Sequence, residues 1–396
     1  MRKIEKRGIF CLILAALLGI GLALFCFRFV VDGGDWASYP YNRHLYNNEG
    51  VLKGGTVLDR DGDVLSTLDE NGNRVYYSDA TVRRATLHAV GDPAGNIGAG
   101  ALTAFADKLS GYNILTGAYS PLGTGNNVYL TIDAYLNNIA YQALNGMNGT
   151  VGVYNYKTGG ILCMVSTPTF DPADPPAIDP DDPAWDGVYV NRLLSANSIP
   201  GSIFKVVTLN AAIENIPDLF QRTWTCTGSV DIGGSPVTCA YAHGELNIED
   251  ALAVSCNGVF GQLAVELGGS TMQEYADAAG LTESISVDGI NSSQGHFNFD
   301  GNDNQLAWAG VGQGEDTMCP INMMQYMGAI ANGGRAAVPR LIHSSSTSYG
   351  LPTGIYFAHK SGKLIEKSTA STIADMMHNN VIETYGQDRF PGMDIC

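Results

Sequence analysis

The sequence predicts a membrane-anchored chain of the α/β (α+β) class, with mixed helices packed around an antiparallel sheet, and three observations carry that expectation. Residues 8–27 carry no charge and are long enough as a helix to cross a bilayer. Residues 128–133, 150–155 and 161–166 alternate or run apolar at strand length. Residues 203–213 are apolar on nearly every face, as in a helix buried on all sides.

Taken in order, residues 1–7 carry Arg2, Lys3, Lys6 and Arg7, and Asp32 and Asp35 follow the apolar stretch. That charge bias assigns residues 1–7 to a cytoplasmic tail, residues 8–31 to a transmembrane anchor, and everything after to the outside. A cleaved signal peptide is the alternative. The stretch is longer than a signal-peptide core, and Arg28-Phe29-Val30-Val31 offers no small-x-small cleavage site, so the anchor is expected to stay. The net charge of −17, with no basic cluster beyond the tail, excludes nucleic acid as a partner.

The length allows two soluble domains after the anchor. Residues 32–126 are polar and glycine-rich with strand-like pieces such as Thr56-Val57-Leu58 and Val75-Tyr76-Tyr77, and are expected to form a β-rich N-terminal pedestal. They hold no catalytic acidic cluster, so Asp59, Asp61 and Asp63 read as turn residues. Residues 127–396 make the second domain. A strand at 128–133 leads into a helix from Ala134 to Leu144, and two further strands flank Lys157-Thr158-Gly159-Gly160, which spells a hairpin turn. The Asp/Pro-rich residues 171–186 read as a surface loop.

The chemistry centres on Pro200-Gly201-Ser202-Ile203-Phe204-Lys205. Pro200 and Gly201 break the preceding structure, which puts Ser202 in the first turn of the apolar helix, and the i, i+3 spacing sets the Lys205 amine beside the serine hydroxyl. Serine is a poor nucleophile until a base takes its proton, and a lysine kept neutral by apolar surroundings is such a base. The helix N-terminus supplies unpaired N–H groups for an oxyanion. A second triplet, Ser255-Cys256-Asn257, lies between two helical runs, a corner from which the serine can relay a proton and the asparagine can bond an amide. Ser195-Ala196-Asn197 has the same spelling and reads as a decoy.

Six of the eight cysteines lie outside the apolar stretch. Cys226 and Cys239 bracket a Gly/Pro/Thr-rich segment that can double back, so either a disulfide or two free thiols fits them. No cysteine or histidine spacing makes a metal site, His243 and Glu245 read as turn residues, and no cofactor is expected. Gly310-Val311-Gly312-Gln313-Gly314 lacks the strand, helix and lysine of a phosphate loop.

The order Gly201-Ser202-Ile203-Phe204-Lys205, Cys226-Thr227-Gly228, His243-Gly244, Ser255-Cys256-Asn257, Gly312-Gln313-Gly314 resembles the transpeptidase domain of the penicillin-binding proteins, whose motifs are shared with serine β-lactamases. Residues 54–62 resemble the start of the non-catalytic domain in the monofunctional, class B members, with Gly54 where arginine is usual. The resemblance implies a D,D-transpeptidase that acylates Ser202 with a peptidoglycan stem peptide ending in D-Ala-D-Ala. Lys205 would be the base, Ser255 the proton relay and Asn257 the donor-peptide contact. It further implies β-lactams as mimics of the donor and a membrane glycan polymerase as partner. A non-catalytic scaffold of the wall machinery and a β-lactam sensor or hydrolase of the same fold are the alternatives.

The family's third motif, Lys-Thr/Ser-Gly, is a point of departure. Lys157-Thr158-Gly159 precedes the nucleophile, and Lys360-Ser361-Gly362 is followed by Lys363 and reads as a hairpin tip. The helix expected over residues 371–382 precedes the true motif in the family. The chain as given is therefore expected to stop short of it, leaving the sheet incomplete and this chain alone inactive.

Overall fold

The computed structural model describes residues 2–39, 42, 45–47, 51–112, 125–393 and 395. Met1 and Cys396, the two ends named above, lie outside the described residues. Helix α1 (Arg2–Ala37) is exposed over residues 6–31 and meets the body only with its last turns. It is the one described helix long and apolar enough to cross a membrane, with mean hydropathy 2.9 in its best window. The helix continues past residue 31, where the apolar stretch ends, and Gly33 and Gly34 let its last turns lie close against Tyr112 and Asp107.

The body begins with strands β1 (Thr56–Leu58), β2 (Val64–Leu68) and β3 (Arg74–Tyr76), then helices α2 (Ala80–Val90), α3 (Ala101–Ala104) and α4 (Ala106–Ser110). Strand β4 (Asn126–Leu130), helix α5 (Ala134–Leu144) and the hairpin β5 (Gly149–Tyr154) and β6 (Ile161–Thr167) follow. Asp133 caps α5 by accepting from the Leu136 N–H at 2.9 Å, which fixes its start where the sequence places it. Asp59 is buried; one carboxylate oxygen closes its own turn onto Asp61 and Asp63 and the other accepts from Ala134 N–H at 3.1 Å, locking the first turn of α5 to β1.

Helix α6 (Lys205–Asn215) opens the second half of the body. After it come β7 (Trp224–Cys226), the hairpin β8 (Ser229–Ile232) and β9 (Ser235–Thr238), β10 (Gly244–Leu246), α7 (Ile248–Ala253), α8 (Asn257–Leu267) and α9 (Gly269–Ala278). The chain then forms β11 (Ser286–Val287), β12 (Ile290–Asn291), α10 (Asp303–Gly310), α11 (Pro320–Ala331), β13 (Ile342–Thr347), β14 (Pro352–Gly354) and α12 (Lys367–Asn380).

One six-stranded sheet runs in the order β14-β13-β4-β1-β2-β3, antiparallel except for the parallel pair β1–β4. Strands from both sides of residue 126 thus share a sheet and a core that includes Val57, Leu65, Leu109, Val128 and Leu341. A second core holds α6. Every residue of α6 from Lys205 to Ala212 is buried, because α8, α9, α12 and the 201–204 turn surround it with Phe260, Leu263, Met272 and Ile373. Each such apolar side chain contributes roughly 1.5–3 kcal/mol on burial, so α6 is the least movable element of this half.

Residues 360–362 do not form a hairpin tip. Val338 N–H donates to the His359 carbonyl at 2.8 Å and Ser361 N–H to the Ala336 carbonyl at 2.9 Å, so this stretch runs antiparallel beside residues 336–338. The apolar residues on either side of it have no matching partners in each other; β14 pairs with β13 instead.

Candidate active site

The site is built on a sharp entrance to α6. Gly201 adopts a positive φ of 61° and starts a 3-10 turn, Gly201–Phe204, that runs directly into the helix. Its N–H donates to the Gly312 carbonyl at 2.8 Å, and a side chain on Gly312 would overlap the Gly201 carbonyl and Phe204. Gly312, in the Gly312-Gln313-Gly314 motif, is therefore the wall against which the Ser202 turn is folded. Phe204 stacks on Phe297 at 5.0 Å and on Phe299 at 6.1 Å, holding the inner side of the turn. Ser202 is left exposed on the outer side, while Lys205 is only 1% exposed.

Lys205 Nζ lies 3.2 Å from Ser202 Oγ, 2.7 Å from Ser255 Oγ, 2.7 Å from the Ser255 carbonyl and 2.7 Å from Asn257 Oδ1. All four residues singled out in the sequence thus meet at one nitrogen. The protonation state follows from counting hydrogens. The carbonyl and the amide oxygen can only accept, so they take two N–H bonds. A neutral amine then has its lone pair left for a hydroxyl proton, and an ammonium has one more N–H for a hydroxyl oxygen. Burial among Phe260 and its neighbours lowers the Lys205 pKa to about 8, opposed by the nearby Cys239 and Cys256 thiols, so both forms are within reach near neutrality.

The Ser255 corner has its own backbone logic. An asparagine–aspartate capping box, Asn247 with Asp250, starts α7, and its end is closed by Ser255 N–H to the Leu252 carbonyl at 3.0 Å and Cys256 N–H to the Ala251 carbonyl at 2.9 Å. That pair of bonds is a Schellman closure, whose left-handed residue is usually glycine. Here it is Ser255, at φ 53°. A side chain in that conformation costs about 1–2 kcal/mol. Asn257 opens α8 and donates from Nδ2 to the Thr238 carbonyl at 2.8 Å, so its orientation is fixed from both ends.

The decoy Ser195-Ala196-Asn197 sits elsewhere: Asn197 bonds the Gln294 carbonyl and neither residue bonds Lys205. Lys360-Ser361-Gly362 bonds Arg335 and Ala336, and among the described residues none of its hydrogen bonds reaches the Lys205 group. Cys226 and Cys239 are free thiols with sulfurs 3.8 Å apart, too far for a disulfide bond. Sequence reasoning found no metal-ligand spacing, yet the fold gathers Cys226, Cys239, His243 and Cys256 with their ligand atoms all within 4.8 Å of one another. The doubling back of β8–β9 was the available signal; it returns Cys239 to Cys226 and delivers both to Cys256 beside Asn257.

The penicillin-binding protein transpeptidase domain family matches residues 149–395. The chain belongs to that family. Curated relatives include the peptidoglycan D,D-transpeptidase PbpA of Mycolicibacterium smegmatis, 28% identical over 64% of this chain and 56% of the relative. Stage V sporulation protein D of Bacillus subtilis is 30% identical over 56% of this chain and 35% of its own length. These place the chain among the class B penicillin-binding proteins, and it spans about half the length or less of these two relatives. Among solved structures, the D,D-transpeptidase domain of a peptidoglycan glycosyltransferase from Eggerthella lenta superposes with a TM-score of 0.74 at 28% identity, covering 87% of this chain and 85% of that one. Penicillin-binding protein A from M. tuberculosis, solved as a ceftriaxone acyl-enzyme, shares the fold with a TM-score of 0.74 at 20% identity, over 88% of this chain and 84% of that one.

Proposed function

We propose that this chain carries the acyl-enzyme site of peptidoglycan cross-linking. Ser202 Oγ attacks the carbonyl of the penultimate D-Ala of a stem peptide as Lys205 takes its proton; the Ser255 hydroxyl, 2.7 Å from the same amine, passes a proton to the departing D-Ala. Asn257 orients the donor amide, and the amine of a second stem resolves the ester. β-Lactams enter as donor mimics and stay on Ser202. The charge bias around α1 supports a cytoplasmic N-terminus with this site outside, where it would work beside a membrane glycan polymerase.

One observation carries the reading: an exposed serine and a second serine converge on a single buried amine whose other two partners are obligate acceptors. A scaffold has no need to keep a lysine poised between two hydroxyls. The test is labelled penicillin applied to membranes of cells that make the protein at its natural length, followed by peptide mapping. The label is expected on Ser202 and absent from Ser202→Ala; label on another serine sinks the assignment.

A further inference from the structure

We propose that Cys226, Cys239, His243 and Cys256 are the four ligands of a tetrahedral zinc site that pins the Ser255–Asn257 corner to the β7–β10 segment. The argument starts from distances. Cys226 Sγ lies 3.8 Å from Cys239 Sγ, Cys239 Sγ lies 3.8 Å from Cys256 Sγ, and Cys226 Sγ lies 3.3 Å from His243 Nδ1. A zinc ion with Zn–S bonds of about 2.3 Å and a Zn–N bond of about 2.0–2.1 Å sets tetrahedral edges of about 3.8 Å between sulfurs and about 3.5 Å between sulfur and nitrogen. Three of the six edges already have about those lengths, and all four ligand atoms lie within 4.8 Å of one another. A disulfide would draw two sulfurs in to about 2.05 Å and leave the third thiol and the imidazole without a purpose.

The donor set and its supports agree with zinc. Three thiolates and one imidazole make a closed, four-coordinate site of the structural kind, with no position left for a reacting water. Tyr241 packs edge-on against the His243 ring with centroids 4.6 Å apart, holding the imidazole. Cys226 and Cys256 are buried, whereas Cys239 and His243 are partly open, which leaves a way in for the ion. Binding releases the three thiol protons to solvent and changes no oxidation state.

The ligands come from four separate places: the end of β7, the residue after β9, the turn before β10 and the residue before α8. Among the described residues, those short strands pair only in twos, so few ladder bonds hold them to the helices. Cys256 lies between Ser255 and Asn257, and the Asn257 side chain also bonds the carbonyl of Thr238, next to Cys239. A metal there would fix the loop that aims both side chains at Lys205. The positioning role rests on the reading of Ser255 and Asn257 given above.

The full chain, purified in detergent without chelators, is expected to hold about one zinc by elemental mass spectrometry, and cobalt exchange should give the intense visible bands of a tetrahedral thiolate site. Cys226→Ser and Cys256→Ser should lose the metal, while Cys163→Ser, at a buried cysteine outside the cluster, should keep it. Stripping zinc from the unmutated protein at its natural length should slow penicillin acylation by about tenfold or more, with recovery on zinc and none on magnesium. A wild-type chain that takes up neither zinc nor cobalt, or a mapped disulfide between any two of the three cysteines in metal-free protein, overturns the site. Acylation unchanged by zinc removal overturns its positioning role. Ser202→Ala separates the two readings, since it should lose the penicillin label and keep its zinc.

Discussion

A buried lysine and a half-buried arginine set the Ser202–Ser255 corner against the N-terminal sheet. Lys205 is closed off from water and Arg74 partly so, and desolvation pulls both pKa values down, to about 8 for the lysine and about 10 for the arginine. Their partners differ. Arg74 donates to the carbonyls of Leu52, Gly54 and Gly55 at 2.7–2.9 Å, three acceptors that can neither give up nor take a proton. Lys205 faces two such acceptors and two hydroxyls. Burial alone therefore does not mark a reactive site; the marker is a buried base whose neighbours hold transferable protons. Arg74 also shows what became of Gly54, the position where the resemblance expects an arginine: its carbonyl is bonded by a guanidinium arriving from β3.

The largest effect that could break this comparison is removal of the amine. Lys205→Ala should slow penicillin acylation at Ser202 by about 10²–10⁴-fold, the usual contribution of a positioned base. Stopped-flow acylation against unmutated protein measures it. A loss below tenfold would mean that Ser202 is activated by something other than Lys205.

A pH profile sharpens the same contrast. The neutral amine is the working form, and its fraction falls about tenfold per unit below its pKa. With that pKa lowered to about 8, acylation should climb as pH rises through 7 and level off above about 8, with no matching step from Arg74, which stays charged throughout. A flat profile from pH 6 to 9 would contradict a lysine base.

Arg74→Met tests the structural side. It should leave acylation per folded molecule unchanged while unpairing three carbonyls of the segment that leads into β1, at a cost of about 2–3 kcal/mol to the sheet. Thermal unfolding and labelling stoichiometry on one sample separate the two effects. Loss of acylation at full stability would make the sheet part of the catalytic machinery.

Legibility in the sequence follows the range of the interaction. The Ser202–Lys205 pair and helix α5 rest on contacts three or four residues apart, so spacing and apolar runs revealed them. Helices α2 to α4 lie in a polar, glycine-rich stretch whose short amphipathic faces are set by packing on the sheet, and no periodic signal announced them. The 360–362 stretch kept the spelling of a turn and was claimed by residues 336–338, a pairing more than twenty residues away. Cys226, Cys239, His243 and Cys256 converge only after β8–β9 folds back, so linear spacing hinted at the approach of Cys226 and Cys239 and not at the cluster of four.

The smallest expected effect isolates the cost of function at one residue. Ser255 occupies the left-handed position of a Schellman closure, where glycine carries no steric penalty. The backbone bonds that end α7 do not need its side chain, but the contact between its hydroxyl and Lys205 at 2.7 Å does. Replacing it with glycine releases about 1–2 kcal/mol of left-handed strain. Against that stand one lost hydrogen bond, worth about 1 kcal/mol, and the greater freedom of a glycine in the unfolded chain, about 0.5–1 kcal/mol. Ser255→Gly should therefore leave the unfolding midpoint within about 2 °C of the unmutated chain, while acylation falls because the proton relay is gone. Ser255→Ala keeps the strain and loses the same bond, so it should be the less stable of the two at comparable activity. If Ser255→Gly acylates at the unmutated rate, the serine is there for the backbone and not for the chemistry, and the corner at α7–α8 belongs with Arg74 on the structural side.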